Sequence, residues 1–202
     1  MHPNESLHTL AAALDPAIAR PNFEVKFPGA QLPPEVIADL RTDHAGEVGA
    51  VYIYKAILTI SRDPNLREFA EHHLATELTH LQRIKEWLPS EHYSSLTPIW
   101  KMAGFLTGAL PALFGPRAVY ATIESVETFV YRHYEEQVQA LASYPELTHL
   151  RQALQECQAD EVQHRDEARA SLGNHSPDFL LRLWCGIVSL GSQKAVAVCR
   201  HL

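Results

Sequence analysis

At 202 residues, with 46% apolar and 20% charged positions, the chain reads as one globular domain with a sizeable core. A formal net charge of −7 without any basic cluster argues against a nucleic-acid binder. The three cysteines, Cys157, Cys185 and Cys199, form no CxxC pair and read as core thiols in a reducing compartment.

Residues 1–32 mix short apolar stretches with prolines and predict an irregular arm, with one domain over 33–202. Glu5 and Asp15 stand where a leader needs basic residues, so Leu7–Leu14 is a poor secretory signal and a poor transit sequence. A cytoplasmic, bacterial setting is expected. Pro33-Pro34 opens a long helix to about Ile60, with inward Val36, Leu40, Asp43, Glu47, Ala50, Tyr54 and Leu58. Asp63-Pro64, an N-cap followed by proline, starts a second helix to Leu88, with inward Leu66, Phe69, His73, Glu77, His80, Ile84 and Trp87.

Ile99–Gly115 is apolar and glycine-bearing, interrupted by Pro111, and too short to span a bilayer alone. A third long helix runs from about Pro116 to Ser143, with inward Tyr120, Ile123, Glu127, Val130, Tyr134, Val138 and Leu141. The fourth, ending at Gly173, turns Leu147, Leu150, Leu154, Cys157, Glu161, His164, Ala168 and Leu172 inward. Pro177 starts an apolar fifth helix, read first as a packing helix. No alternating run or hairpin signal predicts a strand. The chain is thus expected to be all-α, an antiparallel four-helix bundle with a broken apolar segment before the third helix and a fifth helix at the C-terminus.

Acids inside apolar stripes need compensation, because an unpartnered buried carboxylate costs several kcal/mol. Glu-x-x-His places both side chains on one helical face. With 17 Glu and 12 His, roughly one such spacing arises by chance, yet four occur: Glu5/His8, Glu77/His80, Glu146/His149 and Glu161/His164. In an antiparallel hairpin, residues equally far from the turn share a height. Around a turn at residue 62, Glu47 and Glu77 are each 15 residues away; around residue 144, Glu127 and Glu161 are each 17 away. Each hairpin therefore offers Glu opposite Glu-x-x-His. Glu146/His149 falls about 22 Å from that level at ~1.5 Å per residue, and Glu5/His8 lies outside the long helices.

Four carboxylates and two imidazoles from four helices are the ligand set of ferritin-like bundles that hold two metals. Two divalent ions cancel the four negative charges, and this oxygen–nitrogen donor set suits iron or manganese. Asp43 and Asp160, each a turn from a ligand, are candidates to hold an imidazole Nδ1–H. His73 reads as a core or rim histidine ahead of a ligand, and His44, His72 and His133 as non-ligands. Tyr134 is a candidate gate for electrons or substrate and equally a packing residue.

Leu40-Arg41-Thr42-Asp43-His44-Ala45-Gly46-Glu47 resembles the first-helix signature of the demethoxyubiquinone hydroxylase family, the di-iron monooxygenases of ubiquinone biosynthesis. Glu77-Leu78-Thr79-His80-Leu81, Val126-Glu127 with His133-Tyr134, and Asp160-Glu161-Val162-Gln163-His164 are similar to its other three motifs. The resemblance implies iron at Glu47, Glu77, His80, Glu127, Glu161 and His164, with Glu77 and Glu161 bridging. It implies dioxygen as co-substrate and a polyprenyl benzoquinol as substrate, with electrons from NADH or through the quinol. No glycine-rich dinucleotide loop is present, so any such reductant docks without that fold.

The resemblance also implies relay roles for His133 and Tyr134. A peripheral seat on the inner face of the cell membrane follows for the apolar segment, carried by Ile99, Trp100, Phe105, Leu106, Leu110 and Phe114. A homo-oligomer or partner proteins of ubiquinone biosynthesis are compatible with it. The chain departs from the family at Val51-Tyr52 and Ala56-Ile57, on a side of the first helix expected to face substrate. Two other functions fit the residues: hydroxylation of another substrate, such as a different lipid or a tRNA base, and iron binding or ferroxidase work in a closed shell. Low basicity disfavours the tRNA version, and the apolar segment disfavours the shell.

Overall fold

A computed structural model of the chain describes residues 32–173 and 178–202. The arm read for residues 1–32 lies outside them apart from Leu32, as does the helix start read at Pro177. The described residues form six α-helices, with no strand among them. These are α1 (Pro34–Ile60), α2 (Pro64–Trp87), α3 (Thr97–Leu113), α4 (Pro116–Ala140), α5 (Thr148–Leu172) and α6 (Phe179–Cys199).

The helix ends follow local chemistry. Pro34, Pro64 and Pro116 occupy first-turn positions where a missing N–H costs nothing. Asp63 accepts the Leu66 backbone N–H at 2.8 Å, and Asp178 accepts that of Leu181 at 3.0 Å. Gly115 turns the chain from α3 into α4 with φ of 97°, a conformation a side chain rarely adopts. The third long helix is shorter than its apolar stripe predicts. It ends at Ala140, and Leu141–Ser143 and Pro145–Leu147 tighten into 3₁₀ turns around Tyr144-Pro145, where a proline bars continuation.

α1 with α2, and α4 with α5, make two antiparallel hairpins, and α2 also meets α5. Their inward faces build two apolar halves. Near the α1–α2 turn sit Ile53, Ile57, Leu66, Ile123 and Leu172. At the opposite end sit Val36, Leu40, Ile84, Val138 and Leu154. The acidic level lies between them, so the polar groups form a layer closed by hydrocarbon on both sides.

α3 and α6 flank this bundle, α3 against α1 and α6 against α4. The apolar segment, expected to be broken, is one continuous helix. Pro111 falls in its last turn, where a single backbone hydrogen bond is forfeited before the helix ends. Backbone packs on backbone here: a methyl on Gly104 would stand 2.2 Å from the Gly49 carbonyl oxygen, and one on Gly108 the same distance from that of Ile53. The last helix does more than pack. Trp184 donates its indole N–H to Thr122 Oγ1 at 2.9 Å, while Phe179, Leu180, Leu183 and Leu190 are exposed.

Candidate metal centre

Each long helix brings one acidic position to the middle layer. Glu47 comes from α1, Glu77 and His80 from α2, Glu127 from α4, and Glu161 and His164 from α5; all six side chains are buried. Their donor atoms fall into two groups, each with its atoms within 4.8 Å of one another. One contains Glu47, Glu77, His80 and Glu161, the other Glu77, Glu127, Glu161 and His164. Glu77 and Glu161 are common to both. Glu146, in the 3₁₀ turn before α5, and His149, in its first turn, are exposed and far from this layer, as the height argument requires.

The two imidazoles turn Nδ1 inward. His80 Nδ1 is 3.1 Å from Glu161 Oε1 and 3.8 Å from Glu47 Oε2; His164 Nδ1 is 3.1 Å from Glu77 Oε1 and 3.2 Å from Glu161 Oε2. These contacts are not hydrogen bonds. Glu47 Oε2, Glu77 Oε1, Glu161 Oε2 and both Nδ1 atoms are buried without a hydrogen-bond partner. Buried polar atoms in that state are costly unless a cation sits among them, so the donor set fits a pair of divalent ions.

The electrostatics agree. Burial, then the charges of Glu77 and Glu161, push Glu47 well above the usual carboxylate range; burial, then Glu161 and Glu77, does the same for Glu127. Glu161 is held low: burial alone raises it, but the closeness of His164 and His80 outweighs burial. Burial lowers both imidazoles, yet the carboxylates around them raise them above the ordinary histidine range. Positive charge is what this layer lacks.

Surrounding residues fix these groups. His80 donates through Nε2 to Asp160 Oδ2 at 3.0 Å. Asp160 thus serves the imidazole of the facing helix through the outer nitrogen, not an Nδ1–H, because both Nδ1 atoms point to the centre. Asp43 holds neither of the six-residue set's imidazoles. Its Oδ1 accepts from Gln137 Nε2 at 2.6 Å and lies 3.3 Å from His133 Nε2, which is 2.8 Å from Thr42 Oγ1. Burial lowers His133, but Asp43 outweighs burial and raises it. Tyr134 donates to Glu47 Oε1, and Tyr54 to Glu127 Oε1 at 3.3 Å.

Thr42, Tyr54 and Gln137 were not singled out in the sequence. Tyr54 carried a signal, since it shares an inward stripe with Glu47. Thr42 reaches His133 and Gln137 reaches Asp43 across two helices no turn connects, so spacing gives no hint of them.

A largely apolar cavity of about 390 Å³ opens onto Glu47, Glu77, Glu127 and Glu161. Ala50 and Ile53 of α1, Trp100 and Thr107 of α3, and Trp184 and Ile187 of α6 are among its walls. Trp100 therefore faces inward, its indole N–H donating to Ser94 Oγ at 3.0 Å, whereas Ile99, Phe105, Leu106, Leu110 and Phe114 are exposed. Val51, Tyr52, Ala56 and Ile57, expected towards substrate, are absent from these walls; Ala56 and Ile57 are fully buried, and Lys55 and Lys101 lie over the Tyr52 ring. His133 borders the cavity on one side and a groove of about 560 Å³ with mixed polar and apolar lining between α4 and α6 on the other.

Comparison with known proteins agrees with this layout. Residues 35–199 match the family model described as "Ubiquinone biosynthesis protein COQ7". The chain is 32% identical over 187 residues to a 3-demethoxyubiquinol 3-hydroxylase of Rhodospirillum rubrum, covering 90% of this chain and 86% of that protein. It is 33% identical over 150 residues to the mitochondrial 5-demethoxyubiquinone hydroxylase of Saccharomyces cerevisiae, covering 64% and 63%. It is 32% identical over 132 residues to a mitochondrial protein of Dictyostelium discoideum named NADPH-dependent 3-demethoxyubiquinone 3-hydroxylase, covering 62% and 59%. Bacterial and mitochondrial relatives alike match, so the likeness does not favour the bacterial setting. With the match spanning all six helices and the whole acidic layer, the chain belongs to the COQ7 family of ubiquinone-biosynthesis proteins.

Proposed function

We propose that this chain is a di-iron monooxygenase that hydroxylates a demethoxyubiquinol-type polyprenyl quinol. The observation that carries the reading is the pair of buried donor groups sharing Glu77 and Glu161 at the inner end of an apolar cavity. Glu47, Glu77, His80, Glu127, Glu161 and His164 would hold the two ions, Glu77 and Glu161 being common to both donor groups. Iron bound there would supply dioxygen activation, one oxygen atom entering a C–H bond of the quinol ring and the other leaving as water.

The chain's own residues prepare the ground. Tyr134 and Tyr54 fix one oxygen each of Glu47 and Glu127, leaving the other free to ligate. Asp160 sets the orientation of the His80 ring. The apolar cavity walls take the quinol head group and exclude water, within the volume range usual for small-molecule sites. His133 stands between the outer groove and the inner cavity, the position a proton or electron relay requires. The reductant is a reduced nicotinamide or the quinol itself; the name of the Dictyostelium discoideum relative carries NADPH dependence for that protein.

No helix among the described residues is long and apolar enough to cross a membrane. The exposed apolar faces of α3 and α6, which flank the cavity, are proposed to lie in a lipid interface from which the isoprenoid substrate enters. A closed storage shell calls for hydrophilic outer helices, which α3 and α6 do not present.

The test is anaerobic loading with ferrous iron, then labelled dioxygen with and without a demethoxy quinol, the organic product being read by mass spectrometry. A gain of one labelled oxygen on the quinol is expected. Oxidation of iron without organic product overturns the substrate, and failure to bind iron overturns the centre.

A further inference from the structure

Outside the buried layer, one more set of ligand-type side chains converges. His72 and His73 of α2 and Glu167 of α5 bring a donor atom each within 4.8 Å of the others. His73 lies one turn before Glu77, and Glu167 three residues beyond His164, so this cluster sits beside the acidic layer on the α2–α5 face.

His73 has no exposed surface, and neither ring nitrogen has a hydrogen-bond partner. Its Nε2 is 3.1 Å from Glu167 Oε2, yet the pair lacks hydrogen-bond geometry. A buried imidazole left this way is costly, because it has given up water without gaining a partner. Packing holds the ring in place nonetheless: the Phe69 ring centroid is 4.2 Å away at 68°, and that of His164 is 4.1 Å away at 66°. Glu167 is also pre-set. Gln163 Nε2 donates to its Oε1 at 2.7 Å, which leaves Oε2 turned towards His73. His72 is exposed, and Glu167 partly so, which opens the cluster to solvent.

We propose that His72, His73 and Glu167 form a third divalent-cation site on the α2–α5 face. Two imidazoles and one carboxylate, with solvent able to complete the shell, match the donor preferences of zinc, cobalt(II) and ferrous iron. A cation there gives the buried His73 nitrogen the partner it lacks and neutralises Glu167. The site stands on its own residues and does not depend on the hydroxylation reading.

The test is cobalt(II) binding to the whole chain by equilibrium dialysis with metal analysis, comparing wild type with the His72→Ala/Glu167→Gln variant. Both substituted positions reach the surface, so the fold is retained; circular dichroism checks it, and His72→Ala alone serves as the milder variant. Wild type is expected to bind one equivalent more than the double variant, with His72→Ala weakening that equivalent at least tenfold. Equal stoichiometry in wild type and double variant overturns the proposal, whether the inner pair fills or not.

Discussion

Tyr134, on α4, donates its hydroxyl hydrogen to Glu47 on α1, the one carboxylate of the acidic layer that comes from the first helix. The bond spans 87 residues of sequence and is fully buried. Burial and the charge of Glu47 push the Tyr134 phenol well above its ordinary pKa, so the hydroxyl stays a donor at every working pH.

Tyr134→Phe removes that donor while leaving the ring and its packing. The expected outcome is a protein that still binds its metal complement but turns over roughly tenfold more slowly, with KM little changed. Metal analysis beside steady-state kinetics checks it. Loss of metal with loss of rate would reduce Tyr134 to a scaffold for Glu47.

Gly108→Ala drives a methyl group to 2.2 Å from the Ile53 carbonyl oxygen, on backbone that cannot yield. α3 must then stand off from α1 along the cavity wall. A stability loss of about 1–3 kcal/mol is expected, as for other overpacked contacts, together with a weakened grip on the quinol. Denaturant titration and KM measure the two. Gly46→Ala, which meets nothing within 4 Å but borders the cavity, is the control for helix propensity in the denaturant titration only.

His44 stacks on Tyr93, ring centroids 3.7 Å apart, and burial with the nearby Lys85 charge lowers its pKa to about 4. The unfolded chain takes up this proton near the ordinary value of about 6.5. Between those values the unfolded state is protonated and the folded state is not, so stability falls as pH drops from about 6.5 to 4, by up to about 3 kcal/mol, and is unaffected above. His44→Phe keeps the stacking and removes the proton. Its loss of stability between about pH 7 and pH 4.5, followed by urea denaturation, is expected to be smaller than that of wild type.

Leu106 and Leu110 are exposed on the outer face of α3. Leu106→Glu/Leu110→Glu is expected to leave iron loading intact and to lower binding to phospholipid vesicles at least tenfold, read by co-sedimentation. Unchanged vesicle binding would take the lipid interface away from α3.

Much of this arrangement was legible before any coordinates. Equal distance from a turn placed Glu47 beside Glu77 and Glu127 beside Glu161, because antiparallel helices joined by a short loop have little freedom in register. The same reasoning is silent about helices that no turn connects. The Thr42–His133–Gln137–Asp43 cluster joins α1 to α4, and the Asp160–His80 bond joins α5 to α2, so neither follows from spacing within a hairpin. Pro111 overstated the break in α3 because its position in the last turn, where little helix is left to lose, depends on where the helix ends. The depth to which α3 sinks onto α1 rests on which carbonyl each glycine meets, a fact of the partner helix rather than of the glycine.

The two hairpins supply matching ligands but unlike surroundings. His80 is backed by the Asp160 carboxylate, which makes its inward nitrogen more electron-rich, while His164 is flanked edge-on by the His73 ring. Two ions bound in this layer would therefore be chemically distinguishable neighbours, not a symmetric pair. One would be held harder than the other, so a chelator is expected to remove them one at a time, and an isotope offered between departures to label a single position.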